Sequence, residues 1–486
     1  MNQQGSFKEM DRKEFLRLGG MSTLAVALGS SGLLSFGGKA MADAGLTGGV
    51  MEGFAGSGGY GPLVKDPGGV LDLPRGFQYR IISEEGGRLS NGAPIPGAFD
   101  GMAAFPGKHN TTILVRNHEL ISNAEYPVNG KNPYDRTAAG GTTALIIGAD
   151  RKVQSEYIAS SGTIRNCAGG GTPWGTWLTC EETSSGKHGY VFEVDPLDPE
   201  NERSRTPIRE MGFFSHEACD VDPSTGIVYL TEDANPSFLY RFIPNDRSQK
   251  PGALQSGGIL QAAAFEELAD PRASVFKPGQ SYGIVWKDLK PEEAHNDALA
   301  KGCIQFSRLE GSYFSGGVFW FDDTSAGEKK LGRIYRYTPS TNTLELFYEA
   351  SDANEMEMPD NICITPWGDL WFVEDGGGTD RLLGITPERE VYLFAVNRLN
   401  NSELCGPAFS PDGNTLFLNI QDPGITFAVW GPFKNRSAAR QRQMSHAAPP
   451  KGFAPLVSDK LAAYAEIQGM SLLEAAAMQR HGVPVL

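Results

Sequence analysis

The sequence predicts an all-β fold: a six-bladed β-propeller with helical insertions and a short C-terminal helix. Three observations predict it. The 486 residues include 60 Gly and 31 Pro, a composition rich in turns. Glycine turns recur, each followed by a short run of apolar, aromatic and β-branched residues that reads as a strand. Each run also ends on a polar side chain six residues after its glycine: Gly175 to Glu181, Gly226 to Glu232, Gly317 to Asp323, Gly368 to Glu374 and Gly413 to Asn419. A β-sandwich also has many short strands, but nothing in it requires them to end on polar groups at one level. Blades around a channel do.

Residues 1–42 read as an export signal. "DRKEFLRLGG" carries Arg12 and Lys13 where a twin-arginine (Tat) signal has its basic pair, with Phe15 and Leu16 following. A modestly apolar stretch and "AMA" at Ala40–Ala42 complete the pattern of a cleaved leader. The Gly and Ser content argues against a stable membrane anchor, and no later segment is apolar enough to span a bilayer. Export by the Tat machinery implies a periplasmic or secreted protein. Residues 43–70 form a Gly-rich lead-in.

Residues 71–433 hold the repeats and are expected to form the propeller. A looser sixth copy, "FPGKHNTTILVRNHE", ends on Asn117 and Glu119. A second polar set precedes the turns, where an innermost strand would begin: Asn166, Glu217, Arg308 with Glu310, Asp360 with Asn361, and Glu403. The longest gap between turns contains "KPEEAHNDALAKG", a short helix with Pro291 near its start and Gly302 after its end. Residues 434–486 form a tail whose "SLLEAAAMQRHG" is expected to be helical, with Ser471 and Glu474 as a capping box and Gly482 as terminator.

The net charge of −15 argues against nucleic acid as partner. Several carboxylates converging in one funnel repel each other unless cations join them. A ring of oxygen ligands suits Ca²⁺. Cys180, beside Glu181 and Glu182, reads in two ways from the residues alone. It is a thiolate holding a softer transition metal such as iron or zinc, or a buried thiol whose neighbour binds calcium. The other five Cys mostly lie in or beside apolar runs and read as buried free thiols. Only His118 and His216 lie near the motifs, which argues against a His-rich zinc site. Arg308, two residues before Glu310, is placed either to hold an anionic substrate or to pair with a carboxylate. The chain has no Gly-x-Ser-x-Gly elbow, P-loop or dinucleotide fingerprint.

"NCAGGGTPWGTWLTCEET", "HEA", "RLEG", "PDN", "FVEDG" and "FSPDGNTLFLNIQ", together with the leader, resemble the PhoX alkaline phosphatases from about Phe99 to Phe433. The resemblance implies a six-bladed propeller that hydrolyses small phosphomonoesters with Ca²⁺ and Fe³⁺. It implies Cys180, Glu217 and Glu310 as iron ligands, nearby carboxylates as calcium ligands, and Arg308 in contact with the phosphate. The full expected metal set is Glu119, Cys180, Glu181, Glu217, Glu232, Glu310, Asp360 and Glu374, with Arg308 and Asn166 as catalytic candidates. "MGFFSHEA" departs from the family in lacking a basic residue just before its "HEA". Two rivals need no thiolate: a calcium-dependent lactonase or esterase, and a non-catalytic calcium-stabilised binding propeller.

Overall fold

A computed structural model describes residues 59–433. The expected signal at residues 1–42 and the C-terminal helix lie outside the described residues. The fold is all-β and propeller-like, with five hydrogen-bonded sheets among the described residues. Among the described residues the one α-helix is Ala294–Ala300, preceded by a 3₁₀ turn at Pro291–Glu293, where the insertion helix was expected. No described helix is long and apolar enough to cross a membrane.

The glycines of the five turns all have positive φ, from 67° to 93°, which a side-chain-bearing residue rarely adopts. Each closes the hairpin between a sheet's first and second strands, as where the Gly175 N–H donates to the Thr172 carbonyl at 3.1 Å. The looser sixth hairpin turns instead on His109 and Asn110, at φ 54° and 58°.

The first strands of these hairpins are Phe99–Pro106, Asn166–Gly171, His216–Val221, Leu309–Ser315, Pro359–Ile364 and Leu404–Phe409. Each packs against the next, and the last against the first, so the six close a ring. Four of the six second strands are wholly buried, Trp177–Glu181, Val228–Glu232, Leu370–Glu374 and Leu416–Ile420, and the other two largely so. Their side chains point alternately into the two apolar cores that flank each sheet. One such core joins Leu178 and Val191 to Leu230 and Phe242 of the next sheet. Burial of a Leu or Phe in these seams stabilises by about 1.5–3 kcal/mol.

Six separate blades were expected, whereas nine strands run in one sheet. Ser281–Asp288 pairs with Gly258–Phe265 on one side and Thr343–Glu349 on the other, which joins two four-strand groups along their outer edges. Ile425–Trp430 pairs with Gln78–Glu84, so strands from both ends of the described chain share a sheet. Leu71–Pro74 likewise adds to Val391–Asn397, with Leu63–Val64 outside it.

The insertion helix is tied to the body by His295, whose Nδ1 lies 2.7 Å from Glu232 Oε1. That hydrogen bond is the largest influence on His295 and raises its pKa above the ordinary value. A raised histidine favours the folded state fully below about pH 6.5, and the contribution fades as pH rises through the folded value. His295→Gln should therefore lower the thermal midpoint at about pH 5.5, with a smaller difference from wild type at about pH 9. An equal deficit at both pH values would contradict the assignment.

Candidate functional site

Each strand of the ring begins with the same irregularity. Its first residues pair with the end of the second strand, as Phe99 with His118, Asn166 with Glu181, His216 with Glu232, Leu309 with Asp323 and Pro359 with Glu374. The register then shifts, and regular pairing resumes three residues later. A bulge bends the strand and re-aims the side chain beside it. Immediately after the five opening residues stand Asp100, Cys167, Glu217, Glu310 and Asp360. The ring is tight here. A Cβ on Gly101 would stand 2.7 Å from Ala168 Cα, and one on Gly311 2.3 Å from the Asp360 carbonyl oxygen.

A second tier comes from the residues just beyond the second strands. The N–H of Glu119, Glu182, Thr324 and Asp375 donates at 2.9 Å to the carbonyl of Ala98, Arg165, Arg308 and Met358, respectively. Asp233 and Gln421 make the equivalent bonds to Ser215 and Glu403 at 3.2 and 3.1 Å.

The two tiers meet in three overlapping groups. Asp100, Glu119 and Cys167 form one, Cys167, Glu182 and Glu217 the next, and Glu217, Glu310 and Asp360 the third. Within each group the ligand-type atoms lie within 4.8 Å of one another. Two guanidiniums border them. Arg165 pairs with Glu182 and, at 2.8 Å, with Glu119. Arg308 pairs with Glu310, with Asp233 at 3.0 Å and with Asp375 at 3.6 Å.

The electrostatics call for further positive charge. Both Glu217 carboxylate oxygens and Asp100 Oδ1 are buried without a hydrogen-bond partner. Burial, reinforced by neighbouring carboxylates, pushes Glu217, Glu310, Asp100 and Glu403 well above the usual carboxylate range. Burial and then Glu119 raise Glu182 to about 8, and burial and then Asp375 raise Asp360 to about 7. The Cys167 thiol is also pushed up by burial and then by Asp100. Bound cations invert this balance, because they favour the ionised form of every group that faces them. The donor set fits them: converging carboxylate oxygens suit Ca²⁺, and the one thiol suits a softer transition metal.

Of the residues singled out in the sequence, Glu119, Glu217, Glu310 and Asp360 are brought together, with Arg308 beside them. Others are not. Cys180 lies in the apolar seam between two sheets, its Sγ 3.9 Å from that of Cys219. It sits inside a strand, where side chains point sideways into the cores. Glu181 accepts from the backbone N–H of Ile164 and Gly189, at 3.0 and 2.8 Å, and lies 2.6 Å from His188 Nδ1. Glu232 accepts from the Tyr240 hydroxyl as well as facing His295. Glu374 is held by two 2.6 Å bonds from Arg381. Asp323 accepts from the Ser307 N–H, and Asn419 donates to the Asp100 carbonyl. Asn166 is spent on the Thr163 and Thr179 hydroxyls, at 2.6 and 2.8 Å. These residues anchor the loops and strands that carry the cluster.

Asp100, Cys167, Glu182, Asp233, Asp375 and Arg165 were not singled out as site residues. A signal for three was present, since Glu182, Asp233 and Asp375 stand seven residues after their turn glycines rather than six. Arg165 also precedes Cys167 by two residues, as Arg308 precedes Glu310.

A family model described as alkaline phosphatase PhoX matches residues 58–157 and 149–424. Among solved structures, the chain is similar to PhoX of Pseudomonas fluorescens in complex with vanadate, a transition-state analogue. The identity is 20%, the match covers 74% of this chain and 96% of that one, and the TM-score is 0.59. A gluconolactonase from Xanthomonas campestris matches at 13% identity over 76% of this chain and 98% of that one, with a TM-score of 0.36. Virginiamycin B lyase from Staphylococcus aureus matches at 12% identity over 73% and 99%, also at 0.36. No curated protein matches the chain in sequence.

Proposed function

The chain belongs to the PhoX alkaline phosphatase family, and from that premise we propose that it hydrolyses phosphomonoesters over a calcium and iron cluster held by the three overlapping groups. The observation that carries the proposal is Glu217, a buried carboxylate with two unpartnered oxygens, shared between the Cys167 group and an all-carboxylate group. We assign the softer ion, Fe³⁺, to the Cys167 side and Ca²⁺ to the surrounding carboxylates. When bound, such ions would polarise the phosphoryl oxygens and neutralise their charge.

The chain's own part is binding and orientation. Arg308 stands at the border of the cluster with its side chain 30% exposed, so the guanidinium reaches both solvent and the carboxylates. Asp233 and Glu310 fix its plane, which presents the remaining N–H groups to a phosphoryl oxygen. The tight ring beneath, with Gly101 and Gly311 against their neighbours, leaves the ester to approach from the arginine side.

We read the nine-stranded sheet as two blades fused at their outer edges, which gives six blades in the body at 71–433. We read residues 1–42 as a Tat signal that delivers the folded protein to the periplasm or beyond.

Arg308→Ala should leave the cations in place and remove a charge-assisted contact worth about 2–4 kcal/mol in the transition state. That is roughly a 30- to 1000-fold loss of kcat/KM at about 1.4 kcal/mol per decade. The experiment that tests the function is release of phosphate from an aryl phosphomonoester, measured with Ca²⁺ and Fe³⁺ supplied and again after chelation. Turnover that chelation abolishes and both ions restore is expected. No turnover by the loaded protein would refute the reading.

A further inference from the structure

We infer that Arg165 is a second substrate-gripping residue, the counterpart of Arg308, and that the two guanidiniums together select doubly charged phosphomonoesters over singly charged diesters. The inference rests on the phosphatase reading above and adds a residue and a charge preference to it.

The two arginines occupy the same place in two repeats. Each stands two residues before a group-forming side chain, Arg165 before Cys167 and Arg308 before Glu310. Each has a left-handed backbone, at φ 49° and 63°, uncommon for a residue with a side chain. Each carbonyl accepts at 2.9 Å from the first residue beyond the second strand of its own hairpin. Each guanidinium also reaches back to the acid that ends the preceding hairpin, Arg165 to Glu119 and Arg308 to Asp233.

The remaining four hairpins carry no cation at this place, where Ala98, Ser215, Met358 and Glu403 stand. The strands that follow the two arginines, Asn166–Gly171 and Leu309–Ser315, are separated round the ring by His216–Val221 alone, so the guanidiniums approach the cluster from different directions. Neither is sealed in a core, the Arg165 side chain being 41% exposed and that of Arg308 30%.

That geometry matches one charge state of substrate better than another. A phosphomonoester at neutral or alkaline pH spreads two charges over three terminal oxygens, so each guanidinium can take a different one. A diester carries one charge on two oxygens, and its second ester group displaces one of those contacts. A charged donor left unmatched next to substrate costs binding. A guanidinium fork is also suited to oxygen pairs that an ammonium serves less well.

The test uses metal-loaded wild type, Arg165→Gln and Arg165→Lys, with cation content measured in each. Kinetics are compared on an aryl phosphomonoester and on its methyl diester, and inorganic phosphate binding is titrated separately. Arg165→Gln should keep its cations, bind phosphate about tenfold more weakly and lose about 30-fold or more in kcat/KM on the monoester, mainly through KM. On the diester it should lose less than about threefold, and Arg165→Lys should fall between Gln and wild type. Unchanged monoester kinetics, equal losses on both esters, or depleted cations in both variants would overturn the inference. If wild type turned over neither ester, the phosphatase reading would fail. Phosphate binding would then still decide the role of Arg165, upheld if the Gln variant binds more weakly and refuted if it does not.

Discussion

Glu217→Gln should nearly abolish phosphomonoester turnover while making the metal-free protein more stable. Both effects follow from one buried group. Glu217 presents two oxygens with no partner, between Cys167 and Glu182 on one side and Glu310 and Asp360 on the other. With cations bound, Glu217 would be a ligand common to the Cys167 group and the all-carboxylate group, and would supply negative charge to both. An amide keeps the shape but supplies no negative charge, so the cations should be lost from both adjoining groups. Loss of several kcal/mol of charge stabilisation corresponds to about a thousandfold or more in rate.

Without cations the sign reverses. A carboxylate crowded by other carboxylates in a buried site opposes folding, and neutralising it should stabilise by about 1–3 kcal/mol. Thermal midpoints of wild type and variant, with and without calcium and iron, check this. A variant less stable than wild type in both states would mean that Glu217 is a packing element only.

The repeat itself was legible in the sequence because its determinants are local. A glycine at positive φ, a short and largely buried strand and a polar residue at its end mark five of the six hairpins wherever they lie in the chain. The convergence of Glu217, Glu310 and Asp360 was legible too, since each stands where an inner strand was expected to begin. The join made by Ser281–Asp288 depends on pairing between strands far apart in sequence, and no local pattern announces it.

Choosing between neighbouring residues was harder. Glu181 and Glu182 are adjacent acids, and only the structure shows that the first is used up by the loop at Gly189 while the second faces Cys167. Cys180 drew attention through those acidic neighbours, yet a residue inside a second strand points into the seam between sheets. Cys167 reads from the sequence as one of the buried free thiols. It reaches the cluster because the strand shifts register between Asn166 and Gly169, a feature set by the close approach of the next strand.

We propose a mixed-cation cluster in which Cys167, the one thiol in the three groups, is the thiol ligand. Elemental analysis of Cys167→Ser and Cys180→Ser beside wild type, each also assayed for phosphomonoester turnover, tests it most directly. A serine hydroxyl is a far poorer ligand than a thiolate, so Cys167→Ser should lose the transition metal and nearly all activity. Cys180→Ser should retain metal and turnover, at the cost of a little stability from a hydroxyl placed in an apolar seam. Full iron content and full activity in Cys167→Ser would contradict the account, as would loss of iron from Cys180→Ser with Cys167→Ser intact.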